Sequence, residues 1–155
     1  MKVSNDKVPA KRVNNVSVKL VRESSILYES KSISSPQDAY ELVKSFLEDK
    51  DREHFIVASL DTKNQPIAIN ACHIGSLNAV LVSPREVMKS AILSSAASII
   101  VAHNHPSGDI TESREDIEVT RRLVEVGKLM GIAFLDHLLI GDGKYTNLNE
   151  KGCIR

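Results

Sequence analysis

Apolar and polar residues alternate through Val16-Ser17-Val18-Lys19-Leu20-Val21-Arg22, the period of a half-buried strand. Ser35-Pro36-Gln37-Asp38 then opens a helix: Ser35 can cap, Pro36 suits the first helical position, and Asp38 can reach back to the cap. Ala39, Val43, Phe46 and Leu47 supply its apolar face. Three apolar runs follow, Phe55 to Leu60, Pro66 to Ile74 and Leu77 to Val82. The turn residues Asp61-Thr62-Lys63-Asn64 and Gly75-Ser76 separate them, so they predict an antiparallel meander. Ser83-Pro84-Arg85-Glu86 repeats the capping pattern and starts a second helix carrying Val87, Met88, Ala91 and Ile92. Ala96 to Ala102 is continuously apolar, as a central strand covered on both faces would be. A third helix follows Ser113 and stops near Gly131. Ile132 to Ile140 and a short segment around Tyr145 close the chain. Strands flanked by helices, without regular βαβ alternation, predict an α+β domain.

A length of 155 residues suits one domain with a real core, expected over residues 16–155 behind a flexible segment of residues 1–15. Apolar residues make up 42% and charged residues 26%, ordinary for a globular chain. Lys plus Arg equals Asp plus Glu at 20 each, which removes any one-signed field that would draw the chain to nucleic acid or anionic lipid. Lys2, Lys7, Lys11 and Arg12 have no interleaved aromatic residue and suit a solvated terminus better than a nucleic-acid arm. Cys72 and Cys153 form no CxxC pair, and a disulfide framework is not expected. No apolar run approaches the roughly 18 residues of a membrane span. The polar N-terminus lacks the apolar core of a signal peptide, so the expected compartment is the cytoplasm.

The chemistry concentrates in Val101-Ala102-His103-Asn104-His105-Pro106-Ser107-Gly108-Asp109, followed by Ser113-Arg114-Glu115-Asp116. Two histidines at i and i+2, leaving a buried strand, project from the same side and can reach one metal ion. Pro106 and Gly108 then turn the chain, ending the strand where a pocket can open. Asp116 lies one turn ahead of an apolar helical stripe of Val119, Leu123, Val126 and Met130. A carboxylate on that inward face must be paired, hydrogen-bonded or metal-bound, because burying it bare costs several kcal/mol. Ser113-x-x-Asp116 is also a capping box, which accounts for both residues without a metal. Capping does not account for two histidines, a turn and an inward carboxylate within 14 residues. Two histidines and one carboxylate without a nearby cysteine suit Zn2+, one ion per chain, with a fourth position left for water. Zinc-deaminase motifs, H-x-E with P-C-x-x-C, and the HExxH helix of zinc proteases are both absent.

His103-Asn104-His105-Pro106 with Ser113 and Asp116 resembles the JAMM motif of JAB/MPN metalloprotease-like domains, H-x-H-P followed by S-x-x-D. Ser83-Pro84-Arg85-Glu86, the run from Ala102 to Asp109, and Leu135-Asp136-His137 are similar to the RadC branch, and the resemblance runs from about Val16 to the C-terminus. It implies a single JAB/MPN-like domain with a cytidine-deaminase-like layered fold, a mixed β-sheet flanked by helices. It also implies metal ligands at His103, His105 and Asp116, and a glutamate on an earlier strand as general acid/base. Glu53, opening the strand Glu53 to Leu60, stands where the family places that glutamate. Ser113 would then hydrogen-bond a tetrahedral oxyanion besides capping its helix. His137 is read first as a core histidine and second as a support to the metal; Arg85 is a substrate-contact candidate or a surface arginine. His54 and His73 are read as plain strand residues. Family members often carry proline immediately before the serine matching Ser113, where this chain has Glu112. The chain leaves no room for the helix-hairpin-helix-type region of longer RadC proteins, so a DNA-repair role is not expected to carry over.

Three readings follow. The first is zinc-dependent hydrolysis of an amide bond, a metallopeptidase or isopeptidase acting on a protein or peptide. The second is a RadC-type nucleic-acid-associated protein, disfavoured by zero net charge, three Phe, three Tyr and no Trp. The third is a non-catalytic MPN interaction scaffold, disfavoured because every expected ligand is present. The expected partner is the protein or peptide substrate; a homodimer stays open, nucleic acid has no support in the composition, and no membrane is expected.

Overall fold

The computed structural model describes residues 8–75 and 82–154. Ser35 caps α1 (Pro36–Leu47), its hydroxyl accepting from the Asp38 amide while Pro36 occupies the first turn. β1 (His54–Leu60) and β2 (Pro66–Ile74) form the expected hairpin, turned by Asp61, whose carboxylate accepts from the amides of Lys63 and Gln65. α2 (Pro84–Leu93) leads into β3 (Ser98–Asn104), α3 (Arg114–Met130), β4 (Ala133–Gly141) and β5 (Lys144–Asn147). The sheet order is β2-β1-β3-β4-β5, with β3 parallel to β4 and every other neighbour antiparallel. This is the mixed sheet and α+β architecture expected of a JAB-like domain.

β3 is buried at every position, which is why its apolar run shows no alternation. Its side chains still alternate between two cores. Ile100 and Ala102 pack with Ile56, Ala58, Leu138 and α1 on one face. Ile99 and Val101 pack with Phe55, Val57, α2 and α3 on the other. Because β1 runs antiparallel to β3, the start of β1 lies beside the end of β3. The parallel partner β4 ends on that same side. One edge of the domain therefore gathers residues from distant parts of the chain.

Two expectations change here. Residues 16–22 form no strand: they have no regular structure and are exposed, with Val16, Val18 and Val21 each about three-quarters accessible. Alternation supplies an apolar face, but a strand also needs a partner edge for its backbone groups, and these residues have none among the described residues. Ser83 does stand at the cap position of α2, yet its side chain makes no capping hydrogen bond; its main-chain carbonyl accepts from Glu86 instead. The expected run Leu77–Val82 lies outside the described residues except for Val82, which is buried. No helix among the described residues is long and apolar enough to cross a membrane.

Candidate metal centre

His103 ends β3 on the face covered by α2 and α3 and has no exposed surface. The Phe55 ring stacks on it at 5.9 Å, holding the imidazole flat against β1. One residue further the chain leaves the sheet, and His105 keeps its amide on the Ile140 carbonyl of β4. The intervening Asn104 turns to the opposite face. A close backbone approach fixes the loop beyond His105: a side chain at Gly141 would place its Cβ 3.0 Å from the backbone of Gly108.

Asp116 enters from α3. Its carboxylate accepts from the Ser113 amide at 2.7 Å while the Ser113 hydroxyl accepts from the Asp116 amide at 3.1 Å, a complete capping box. The capping reading therefore holds, and it does not exhaust the carboxylate. Nε2 of His103 lies 3.0 Å from Asp116 Oδ1, Nε2 of His105 lies 3.5 Å from Oδ2, and the two Nε2 atoms are 3.0 Å apart. His105 Nδ1 faces the Asp109 carbonyl at 2.6 Å; a carbonyl only accepts, so the neutral ring carries its proton there and leaves Nε2 with a lone pair. Two imidazole nitrogens and a carboxylate thus converge as electron-pair donors, all within 4.8 Å of one another, and can hold a metal ion.

Electrostatics separate the three groups. Burial pushes the His103 imidazole below its ordinary pKa, against the pull of Asp116. His105 is more open, and its hydrogen bond with Asp116 outweighs burial and raises it. Burial alone would raise the Asp116 carboxyl, but the two imidazoles and the Ser113 amide outweigh it and hold the group far below the usual carboxylate range. A carboxylate held charged and a His103 imidazole held toward its neutral form both suit ligation, whereas the raised His105 has a proton to give up to a bound cation.

Glu53 precedes β1, which begins at His54 rather than at Glu53 itself. Its carboxylate charge acts weakly on both imidazoles, behind every other influence on them. Asn104 brackets it: the side-chain oxygen accepts from the His54 amide at 2.6 Å and the side-chain amide donates to the Arg52 carbonyl at 2.8 Å. His137, on β4, is a core histidine, as first expected. It is fully buried, with its ring edge-on to Phe55, and its Nε2 lies 2.8 Å from Nδ1 of His103. Arg85 lies exposed in the first turn of α2, with no described contact to the three donors. His54 and His73 sit on β1 and β2 as strand residues. Glu112 pairs with Lys151 at 2.7 Å, tying the loop before Ser113 to the segment after β5. Thr120 escaped the sequence reading, although it lies four residues from Asp116 on the same helix face. Asn104 and Asp109 stood there only as members of the motif, and Phe55 only as a strand residue.

An H-x-H at a sheet end facing a capping-box aspartate is the arrangement expected of a JAB-type domain. Residues 33–153 match the family model of the RadC-like JAB domain, and the chain belongs to that family. It is 53% identical over 125 residues to a UPF0758 protein of Methanosarcina mazei, covering 81% of this chain and 55% of that one. It is 57% identical over 120 residues to UPF0758 protein YsxA of Bacillus subtilis, covering 77% and 52% respectively. The chain thus spans about half the length of the curated relatives it matches.

Proposed function

We infer that the chain is a zinc-dependent hydrolase that cleaves an amide bond in a peptide or protein, in the manner of a metallopeptidase or isopeptidase. The observation that carries the reading is the convergence of His103 Nε2, His105 Nε2 and the Asp116 carboxylate at 3.0 to 3.5 Å, with Glu53 acting on the same imidazoles. Zinc bonds of about 2.0–2.1 Å in a tetrahedron separate neighbouring ligand atoms by about 3.3 Å, the spacing of these donors. Three protein ligands leave a fourth position open, as in catalytic rather than structural zinc sites. When bound, zinc supplies Lewis acidity and a water acidified to near pH 7.

The chain supplies the rest. Glu53 takes the proton of the attacking water and passes it to the leaving amine. The Ser113 hydroxyl accepts from the Asp116 amide through a lone pair, which leaves its own proton to meet the developing oxyanion. Asn104 holds the peptide groups on both sides of Glu53 and so fixes where that carboxylate starts.

The test is elemental analysis of the purified protein joined to hydrolysis assays on peptide, ubiquitin-like and DNA substrates. One zinc per chain is expected, lost in His103→Ala and Asp116→Ala, with amide hydrolysis and no action on DNA. Glu53→Gln should keep the zinc while hydrolysis falls by about 10²- to 10⁴-fold. Wild type that takes up no transition metal on titration refutes the reading; Glu53→Gln that strips the zinc makes Glu53 a ligand instead of the base.

A further inference from the structure

Behind the metal centre runs a line of buried hydrogen bonds that hydrolysis itself does not use. His103 Nδ1 lies 2.8 Å from His137 Nε2, and His137 Nδ1 lies 2.6 Å from Thr120 Oγ1. The Thr120 hydroxyl donates to the main-chain carbonyl of Asp116 at 2.8 Å. His103, His137 and Thr120 all have 0% exposure, so water cannot substitute for any link.

The direction of every proton in this line follows from its far end. A carbonyl only accepts, so the single proton of Thr120 is spent on Asp116, and Oγ1 must accept from His137. His137 then carries its proton on Nδ1 and offers a lone pair at Nε2. Only the Nδ1 proton of His103 can meet that lone pair. Nε2 of His103 is left bare, facing His105 and Asp116. The line also closes on itself: it leaves one ligand, His103, and ends on the backbone of another, Asp116, one helical turn before Thr120.

We propose that Thr120 and His137 are positioning residues of the metal centre: through this line they select the His103 tautomer that can bind a cation and tie β3, β4 and α3 into one frame around it. The proposal rests on the metal reading above. A ligand imidazole whose second nitrogen is held in this way typically gains 10- to 100-fold in metal affinity over one that is not.

The experiment measures zinc affinity of the full metal-free chain by competition with a chromophoric chelator, alongside melting temperatures of the metal-free proteins. Thr120→Val keeps the shape and removes the hydroxyl; His137→Leu removes the ring. Each should weaken zinc binding by about 10- to 100-fold. Thr120→Ser, which restores the hydroxyl, should recover wild-type affinity, and His137→Gln, whose oxygen can accept from His103, should recover part of it. Nitrogen NMR of the zinc-loaded wild type should show His137 protonated on Nδ1 and not on Nε2. A merely structural role would move the melting temperatures and leave zinc affinity alone. Variants that bind zinc within twofold of wild type overturn the proposal while leaving the metal site standing, and so does a His137 protonated on Nε2. Wild type that binds no zinc removes the metal reading and this proposal together. If His137→Leu does not fold, Thr120→Val and the wild-type spectrum decide.

Discussion

Replacing Asn104 with alanine tests the bracket around Glu53. Asn104 is 3% exposed, and its side chain makes two hydrogen bonds, one from the His54 amide at 2.6 Å and one to the Arg52 carbonyl at 2.8 Å. The two losses are unequal. Arg52 is exposed, so water can take over its carbonyl, and that bond is worth about 0.5–1 kcal/mol net. The His54 amide is only partly accessible and would keep much of a desolvation cost of about 1–3 kcal/mol. The sum is about 1.5–4 kcal/mol. For a chain of this size each kcal/mol lowers the melting temperature by about 2–4 °C, so Asn104→Ala should melt about 3–16 °C below wild type. Asn104→Asp should fare no better: one oxygen still serves His54, but the other would face the Arg52 carbonyl as acceptor against acceptor. The assay is thermal unfolding of the metal-free protein, with amide hydrogen exchange at His54 as the local readout. Zinc content should stay at one, because Asn104 points away from the ligands. A melting temperature within 2 °C of wild type, with His54 exchange unchanged, would refute the bracket.

Two further predictions are independent of that one. Ser113→Ala removes the hydroxyl that caps α3, costing about 1 kcal/mol and about 2–4 °C of melting temperature, and turnover should fall by about 10²-fold; the same melting loss with full turnover leaves Ser113 a cap only. Burial pushes the Cys72 thiol up to about 12, so at pH 8 only about one in 10⁴ is thiolate. Iodoacetamide should therefore label Cys72 in the native protein far more slowly than in the unfolded chain, the rate rising about tenfold per pH unit; equal rates at pH 8 would show the thiol is not so buried.

The parts of the site that were legible in sequence are those set by local spacing. His103 and His105 face one centre because they stand two apart across the end of β3, and Asp116 completes the capping box of α3 because Ser113 stands three residues before it. α3 shows where such reading stops. An apolar count selects Val119, Leu123, Val126 and Met130, yet Met130 is 42% exposed and the buried face runs through Asp116, Val119, Thr120, Leu123, Val124 and Gly127. Besides Asp116, two of those positions carry no apolar side chain. Thr120 is buried because it serves His137, and Gly127 because a Cβ there would lie 2.5 Å from the Ile132 carbonyl. The role of His137 depends on the parallel pairing that sets Val101 opposite it, and the bracket on Glu53 on the antiparallel pairing that brings His54 to Asn104. Neither register is written in the spacing of either residue. Residues 16–22 fail in the opposite sense: the pattern is present and the partner edge is not.

The contact between Gly141 and Gly108 carries a consequence for how this family can vary. Nothing about position 141 marks it in a comparison of ligands, since it is no metal donor and belongs to neither motif. Its missing Cβ nonetheless leaves room for the backbone three residues past His105. Any larger residue there would have to displace Asp142 and the end of β4, or the loop that carries the second histidine. Drift at an unremarkable glycine would thus reach the centre as a misplaced histidine, so the residues on which this candidate centre depends extend well beyond its three donors.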